Sequence, residues 1–218
     1  MSFIRRRVLV TTIGLAAVAL IVAGAWLLWP RGCTERPSVA DLMLPGPLGE
    51  KSQGSAEAPV TLIEYASLTC THCARFATTV HPTLKSRYID TGKVRFIMRE
   101  YPLDDLALAA AALARHMEGE KYFELIDQLF RAQADWAFVP NPAAALLRIA
   151  RQAGLTQESF EGALTNQHIL DGILSAARRG HEKFCVGSTP TFFINGTLHR
   201  GGFSVDELDR LVEPLLKR

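Results

Sequence analysis

The stretch "VTLIEYASLTCTHCARF", residues 60–76, decides how the rest of the 218-residue chain is read. Val60 to Ala66 is an apolar, β-branched run of strand length. Two of the four cysteines follow at once, Cys70 and Cys73, with His72 wedged between them. A helical pattern then runs through Phe76, Val80, Leu84 and Tyr88 and ends near Gly92, and Pro82 inside it predicts a kink. Next, "VRFIMRE" alternates Val94, Phe96 and Met98 against Arg95 and Arg99, the pattern of a second strand. Strand, helix and strand in about forty residues make a βαβ unit with a locally parallel sheet.

Thiols at that place have particular chemistry. The first turn of a helix exposes unpaired N–H groups and the positive end of the macrodipole, and both favour a thiolate at Cys70. Cys73 lies one turn deeper on the same face, close enough to bridge and less exposed. His72 adds a cation or hydrogen-bond donor beside the sulfur. Cys70 is therefore expected to be the attacking or accepting sulfur and Cys73 the resolving one. An inert crosslink would close too short a loop to add much stability.

Downstream of the βαβ unit, helical patterns fill about eighty residues, too many for a loop. Asp104 is placed to cap an alanine-rich helix to Met117, and Tyr122, Phe123, Ile126, Leu129 and Phe130 recur at helical spacing. Asn141, Pro142 and Gly154 supply cap, first turn and stop for the next helix, Thr156 opens another, and Ile169 to Ala177 mark a further face. Strand character returns at "STPTFFINGTLHRGGF": Thr191 to Ile194, the hairpin signal Asn195-Gly196, then Leu198 to Gly201. Ser204 and Glu207 form a capping box before a last amphipathic helix. The fold class is α/β with a large helical insert: 58–103 and 186–218 in one domain, 104–185 in the inserted one.

At the N-terminus Arg5, Arg6 and Arg7 precede an uncharged run from Val8 to Leu28, long enough at about 1.5 Å per residue to cross a roughly 30 Å hydrocarbon core. Trp26, Trp29 and Pro30 fit an interfacial belt and a helix stop. Residues 1–30 are expected to anchor the chain with its body outside the cytoplasm; a cleaved signal peptide competes, because Ala23-Gly24-Ala25 is an A-x-A site. Residues 31–57, rich in Pro, Gly and Ser, are expected to be a flexible tether with one short strand near Leu42 to Leu44. Without Arg5, Arg6, Arg7 and Arg31 the 24 basic residues fall to 20 against 22 acidic, so the body offers no basic field for nucleic acid.

These motifs resemble the thioredoxin superfamily and, within it, the exported disulfide oxidoreductases of the DsbA type. The resemblance covers about residues 57 to 218 and rests on "IEYASLTCTHC", on the helical insert, and on "GSTPTFFING". It implies a thioredoxin fold with an inserted helical domain and a redox-active Cys70–Cys73 pair. It also implies a cis bond at Thr189-Pro190, where Thr189 pairs with an extended substrate strand, and a buried pKa-tuning acid at Glu64 beneath the cysteines. Glu64 also reads as an ordinary solvated strand residue, although Leu62, Ile63 and Tyr65 beside it are apolar. The family implies no cofactor. Its partners would be newly exported cysteine-containing proteins and a membrane quinone-linked redox partner like DsbB, and its location the periplasm.

Departures from the family pattern also inform. Threonine follows Cys70 where strongly oxidising members often carry proline. His116 and Ala163 stand where some relatives have a second disulfide, so that crosslink is not expected. The short tether leaves no room for the dimerisation module of the isomerases, so a monomer is expected. An oxidase is the expected activity, because a stabilised Cys70 thiolate stabilises the dithiol. A reductase or isomerase of the same fold is the nearer rival, and a copper module using Cys70, His72 and Cys73 the more distant one. No metal site is expected among His81, His116, His168, His181 and His199. Cys185 reads as a small buried side chain or as a functional thiol, Cys33 as a free thiol on the tether, and a bond between the two stays open.

Overall fold

A computed structural model describes residues 37–217 of the chain. The proposed anchor, residues 1–30, and Cys33 lie outside the described residues. Among the described residues no helix is long and apolar enough to cross a membrane. The first elements in chain order are α1 (Val39–Met43), β1 (Lys51–Gln53), β2 (Val60–Ala66), α2 (Thr71–Thr79) and α3 (His81–Leu84). A π-helical turn (Lys85–Ile89) and β3 (Val94–Glu100) follow. Six helices come next: α4 (Asp105–His116), α5 (Lys121–Arg131), α6 (Gln133–Trp136), α7 (Pro142–Gln152), α8 (Gln157–Thr165) and α9 (Gln167–Phe184). The chain closes with β4 (Thr191–Ile194), β5 (Thr197–Arg200) and α10 (Val205–Leu216).

Five strands form one sheet in the order β1-β3-β2-β4-β5. Only β2 and β3 run parallel, as the βαβ unit demands; the other pairs are antiparallel. The caps act where the residue types place them. Asp104 Oδ1 accepts from Ala107 N at 2.7 Å, Asn141 Oδ1 from Ala144 N, and the Ser204–Glu207 box closes both ways. Asn195 (φ 45°) and Gly196 (φ 87°) make the tight turn between β4 and β5, both at positive φ. Pro82 has no N–H to offer Thr78, and the helix breaks at Val80 before α3 begins.

Two expectations need correction. Leu42 to Leu44 is not a strand: Ser38 Oγ accepts from Asp41 N and caps the short helix α1, whose Leu42 is buried. The segment read as a tether also contributes β1, paired antiparallel with β3. Arg99, on the polar side of the alternation in "VRFIMRE", is buried. It donates to Glu50, to Tyr65 Oη at 2.9 Å and to the carbonyl of Leu42. Covering by α1 and by the loop holding Glu50 turns that strand face inward, and the guanidinium is kept because its donors are satisfied.

Candidate active site

The loop after β2 delivers Cys70 to the mouth of a helix. Cys70 is the N-cap of α2, in extended backbone (φ −82°, ψ 118°), and is half-buried; Cys73, one turn on, is completely buried. Both thiols are free. The bend before the helix is held from several sides. Cys70 N donates to Ser67 O, and Thr69 Oγ1 donates at 2.7 Å to Asp104, the same residue that caps α4. Gln133, buried on α6 of the insert, donates from Nε2 to the carbonyls of Leu68 (2.7 Å) and Cys70 (3.1 Å). The insert thus grips the redox loop by its backbone. Sequence reading missed Gln133 because nothing local distinguishes a glutamine that will face a carbonyl more than sixty positions away.

Thr189-Pro190 is cis, as the resemblance implied. Its loop lies across the cysteines: Cys70 Sγ is 3.3 Å from Thr189 O, and Gly201 N donates to Pro190 O. Two forces set the Cys70 thiol. The Cys73 thiol hydrogen-bonds it, and the backbone N–H groups of Cys73 and His72 add to that, against a smaller opposing effect of burial; the thiol is lowered to about 5. Burial acts the other way on Cys73 and pushes its thiol far up, helped by its hydrogen bond to Cys70 and the nearby Glu64. The two sulfurs of one turn are therefore split into an easy and a reluctant thiolate. His72 acts on Cys70 through its backbone N–H; its side chain is exposed.

Glu64 is buried, and its carboxyl is pushed well above the carboxylate range by burial first and by Cys70 second. Among the described residues the only buried side-chain oxygens without a hydrogen-bond partner are Glu64 Oε1 and Thr189 Oγ1. Both belong to this site. Since nearly all buried polar groups in folded proteins are satisfied, two orphans flanking one pair of sulfurs mark a place built for chemistry. Beside the pair, a groove of about 440 Å³ runs between α2 and the loop after β5, lined by His72, Arg75, Phe76, Phe203 and Glu207. Behind its lining rings Phe76 and Phe203 lies the buried Phe192, 4.7 Å from Phe76 and 4.6 Å from Phe203 between centroids.

Cys185 is half-buried, disulfide-bonded, and caps α9 in the left-handed conformation at φ 57°. The reading as a small buried side chain is corrected, and the bonded cysteine that the sequence left open is what the structure has, although spacing carried no signal for it.

Comparison with known proteins places this geometry. The sequence model of the thioredoxin family matches residues 48–214. A protein named as a protein-disulfide oxidoreductase in Rickettsia conorii is 30% identical over 165 residues, covering 75% of this chain and 59% of that protein. The chain thus spans about three-fifths of the length of the first curated relatives it matches. The crystal structure of Wolbachia pipientis alpha-DsbA1 is 33% identical with a TM-score of 0.76, over 83% of this chain and 96% of that one. That of BdbD from Bacillus subtilis, 18% identical with a TM-score of 0.66 over 86% and 99%, shares the fold.

Proposed function

The chain belongs to the thioredoxin superfamily, among its DsbA-type thiol-disulfide oxidoreductases, and from that premise we propose that it is an oxidase that passes its Cys70–Cys73 disulfide to cysteine-containing proteins. One observation carries the direction: the Cys70 thiol, held at about 5, is a good leaving group and a stable thiolate. Stabilising the dithiol makes the disulfide a stronger oxidant.

In the forward step a substrate thiolate attacks Cys70 Sγ and the Cys70–Cys73 bond breaks. Cys73 leaves with the electron pair and takes a proton, for which Glu64, neutral and buried beneath it, is the donor. A second substrate thiolate then attacks the substrate sulfur of the mixed disulfide and expels Cys70 as thiolate. The substrate dithiol loses two electrons and the protein gains them. Thr189, whose carbonyl lies against Cys70 Sγ, supplies the backbone edge along which an extended substrate pairs, and Pro190 turns that edge toward the sulfur. The groove beside His72 takes the flanking substrate side chains.

The arginines and the apolar run of residues 5–28 support an exported, membrane-tethered chain, and the DsbA likeness supports reoxidation by a membrane quinone-linked partner. The mass of the protein isolated from membranes tests the tether: loss of the first 25 residues or so would mean a cleaved signal peptide. Two variants and one equilibrium test the rest. Cys70→Ser abolishes exchange, whereas Cys73→Ala accumulates mixed disulfides with substrate proteins. Equilibration with glutathione buffers should give a midpoint well above the roughly −270 mV of thioredoxin. A midpoint at or below that value would make the protein a reductase while leaving the exchange chemistry in place.

A further inference from the structure

A second cavity, of about 520 Å³, opens between α2, α3 and α5 over strands β2 and β3. That volume falls within the range of small-molecule sites, about 300–1,000 Å³. Its walls are apolar and largely aromatic: Phe76 from α2, Phe96 and Met98 from β3, and Phe123, Ile126 and Phe130 from α5. Water alone is a poor filling for such walls, because each buried water needs about two to four polar partners.

Among the polar lining, Glu64 and His81 offer acceptors for a donor. Glu64 lines the cavity, and its buried carboxyl keeps one oxygen, Oε1, without a partner. His81, neutral at pH 7 because burial lowers it to about 4, shares a hydrogen bond of 3.2 Å with Gln53 Oε1; with the proton on Nε2, its Nδ1 is an acceptor. At the mouth, Lys85 pairs with Asp90 and Arg131 with Asp127. Glu120 and Glu124 also line it and have no ion-pair partner among the described residues, so the mouth is net negative. Aromatic faces inside and uncompensated acids outside select a cation with a flat apolar body.

We propose that this cavity binds a small arylalkyl amine, its ring seated among Phe76, Phe96, Phe123 and Phe130 and its ammonium donating to the Glu64 carboxyl. Amine binding draws the Glu64 carboxyl toward its ionised form, so ligation and release of that proton are linked. The site rests on the position of Glu64 and not on the exchange reaction, so it stands or falls independently of the direction of electron flow.

Calorimetric titration of the full-length oxidised protein at pH 7 with phenethylamine, 2-phenylethanol and phenylacetate tests it. The three probes share a ring and differ in head-group charge. Saturable one-to-one binding of the amine is expected, about tenfold tighter than the alcohol, as a charge-assisted hydrogen bond implies, with no measurable binding of the anion. Glu64→Gln should reduce the amine to the affinity of the alcohol and leave the alcohol unchanged, which also reports that the variant is folded. Absence of saturable amine binding, equal affinity for all three probes, or an amine preference that survives Glu64→Gln would each overturn the proposal. Glutathione exchange by the same samples is read separately, so a failed ligand site and a failed redox reading are told apart.

Discussion

Two carboxylates on adjacent strands of one sheet, both buried, have opposite fates. Glu100, at the end of β3, is enclosed by donors: Arg115 Nε at 2.5 Å, Arg115 Nη2 at 2.7 Å and Tyr122 Oη at 2.6 Å. Glu64, on β2, has an oxygen with no partner and a carboxyl pushed well above its usual range. The difference lies in what packs over each strand. Helices α4 and α5 bring Arg115 and Tyr122 over the end of β3, whereas Glu64 lines a cavity whose walls include Phe76, Ala77, Phe96 and Met98. A satisfied buried acid holds structure; an unsatisfied one is available to exchange a proton.

The largest effect should come from breaking the satisfied one. Arg115→Met leaves Glu100 buried without its counter-charge and should cost about 3–5 kcal/mol in urea unfolding. A cost below about 1 kcal/mol would mean that Glu100 is no better held than Glu64, and the contrast would vanish. Glu64→Gln should do the reverse: a small effect on stability and a large one on chemistry. Quenched-flow measurement of mixed-disulfide formation with a model thiol should show a loss of about tenfold or more at the step in which Cys73 takes its proton.

The pH dependence sharpens the same pair. A carboxyl raised in the folded state contributes its full stability below its unfolded value, near 4.5, and loses it as pH rises through the folded value. Wild type and Glu64→Gln should therefore be alike at pH 4. The variant should gain steadily on wild type as pH climbs above that, until the native Glu64 ionises. A constant difference across pH would remove Glu64 as a raised acid. The smallest effect concerns His72. Thiolate absorbance of the reduced protein should titrate with a midpoint near pH 5, and His72→Ala should move it by less than about half a pH unit, since an exposed ring is screened by solvent. Because a depressed Cys70 contributes stability that is complete only above its unfolded value near 9, the advantage of the reduced form should shrink as pH falls through about 5.

Much of the site was readable because its signals are local. A β-branched run, a C-x-x-C at the following helix start, an Asn-Gly turn and a Ser-x-x-Glu box each act within a few residues, so the elements holding Cys70, Cys73 and Pro190 could be drawn from spacing alone. The cis bond at Thr189-Pro190 came from family likeness, because trans and cis prolines have the same letters. Short α1 was misread because Leu42 to Leu44 is too brief a run to show a period; its cap at Ser38 decided the matter. The burial of Arg99 was not legible, because alternation reports which residues share a face and not what covers that face.

The amino-acid order by itself determined where chain direction changes, which two sulfurs sit at a helix mouth, and that a helical insert divides the α/β fold. Only the tertiary structure decided that Glu64 is left without a partner while Glu100 is enclosed, that Gln133 reaches across to the redox loop, and that an apolar cavity opens beside Glu64. Turns, caps and periods are written in contacts between near neighbours, but burial and pairing depend on segments far apart in the chain. Whether a buried charge is matched is known only once those segments have met.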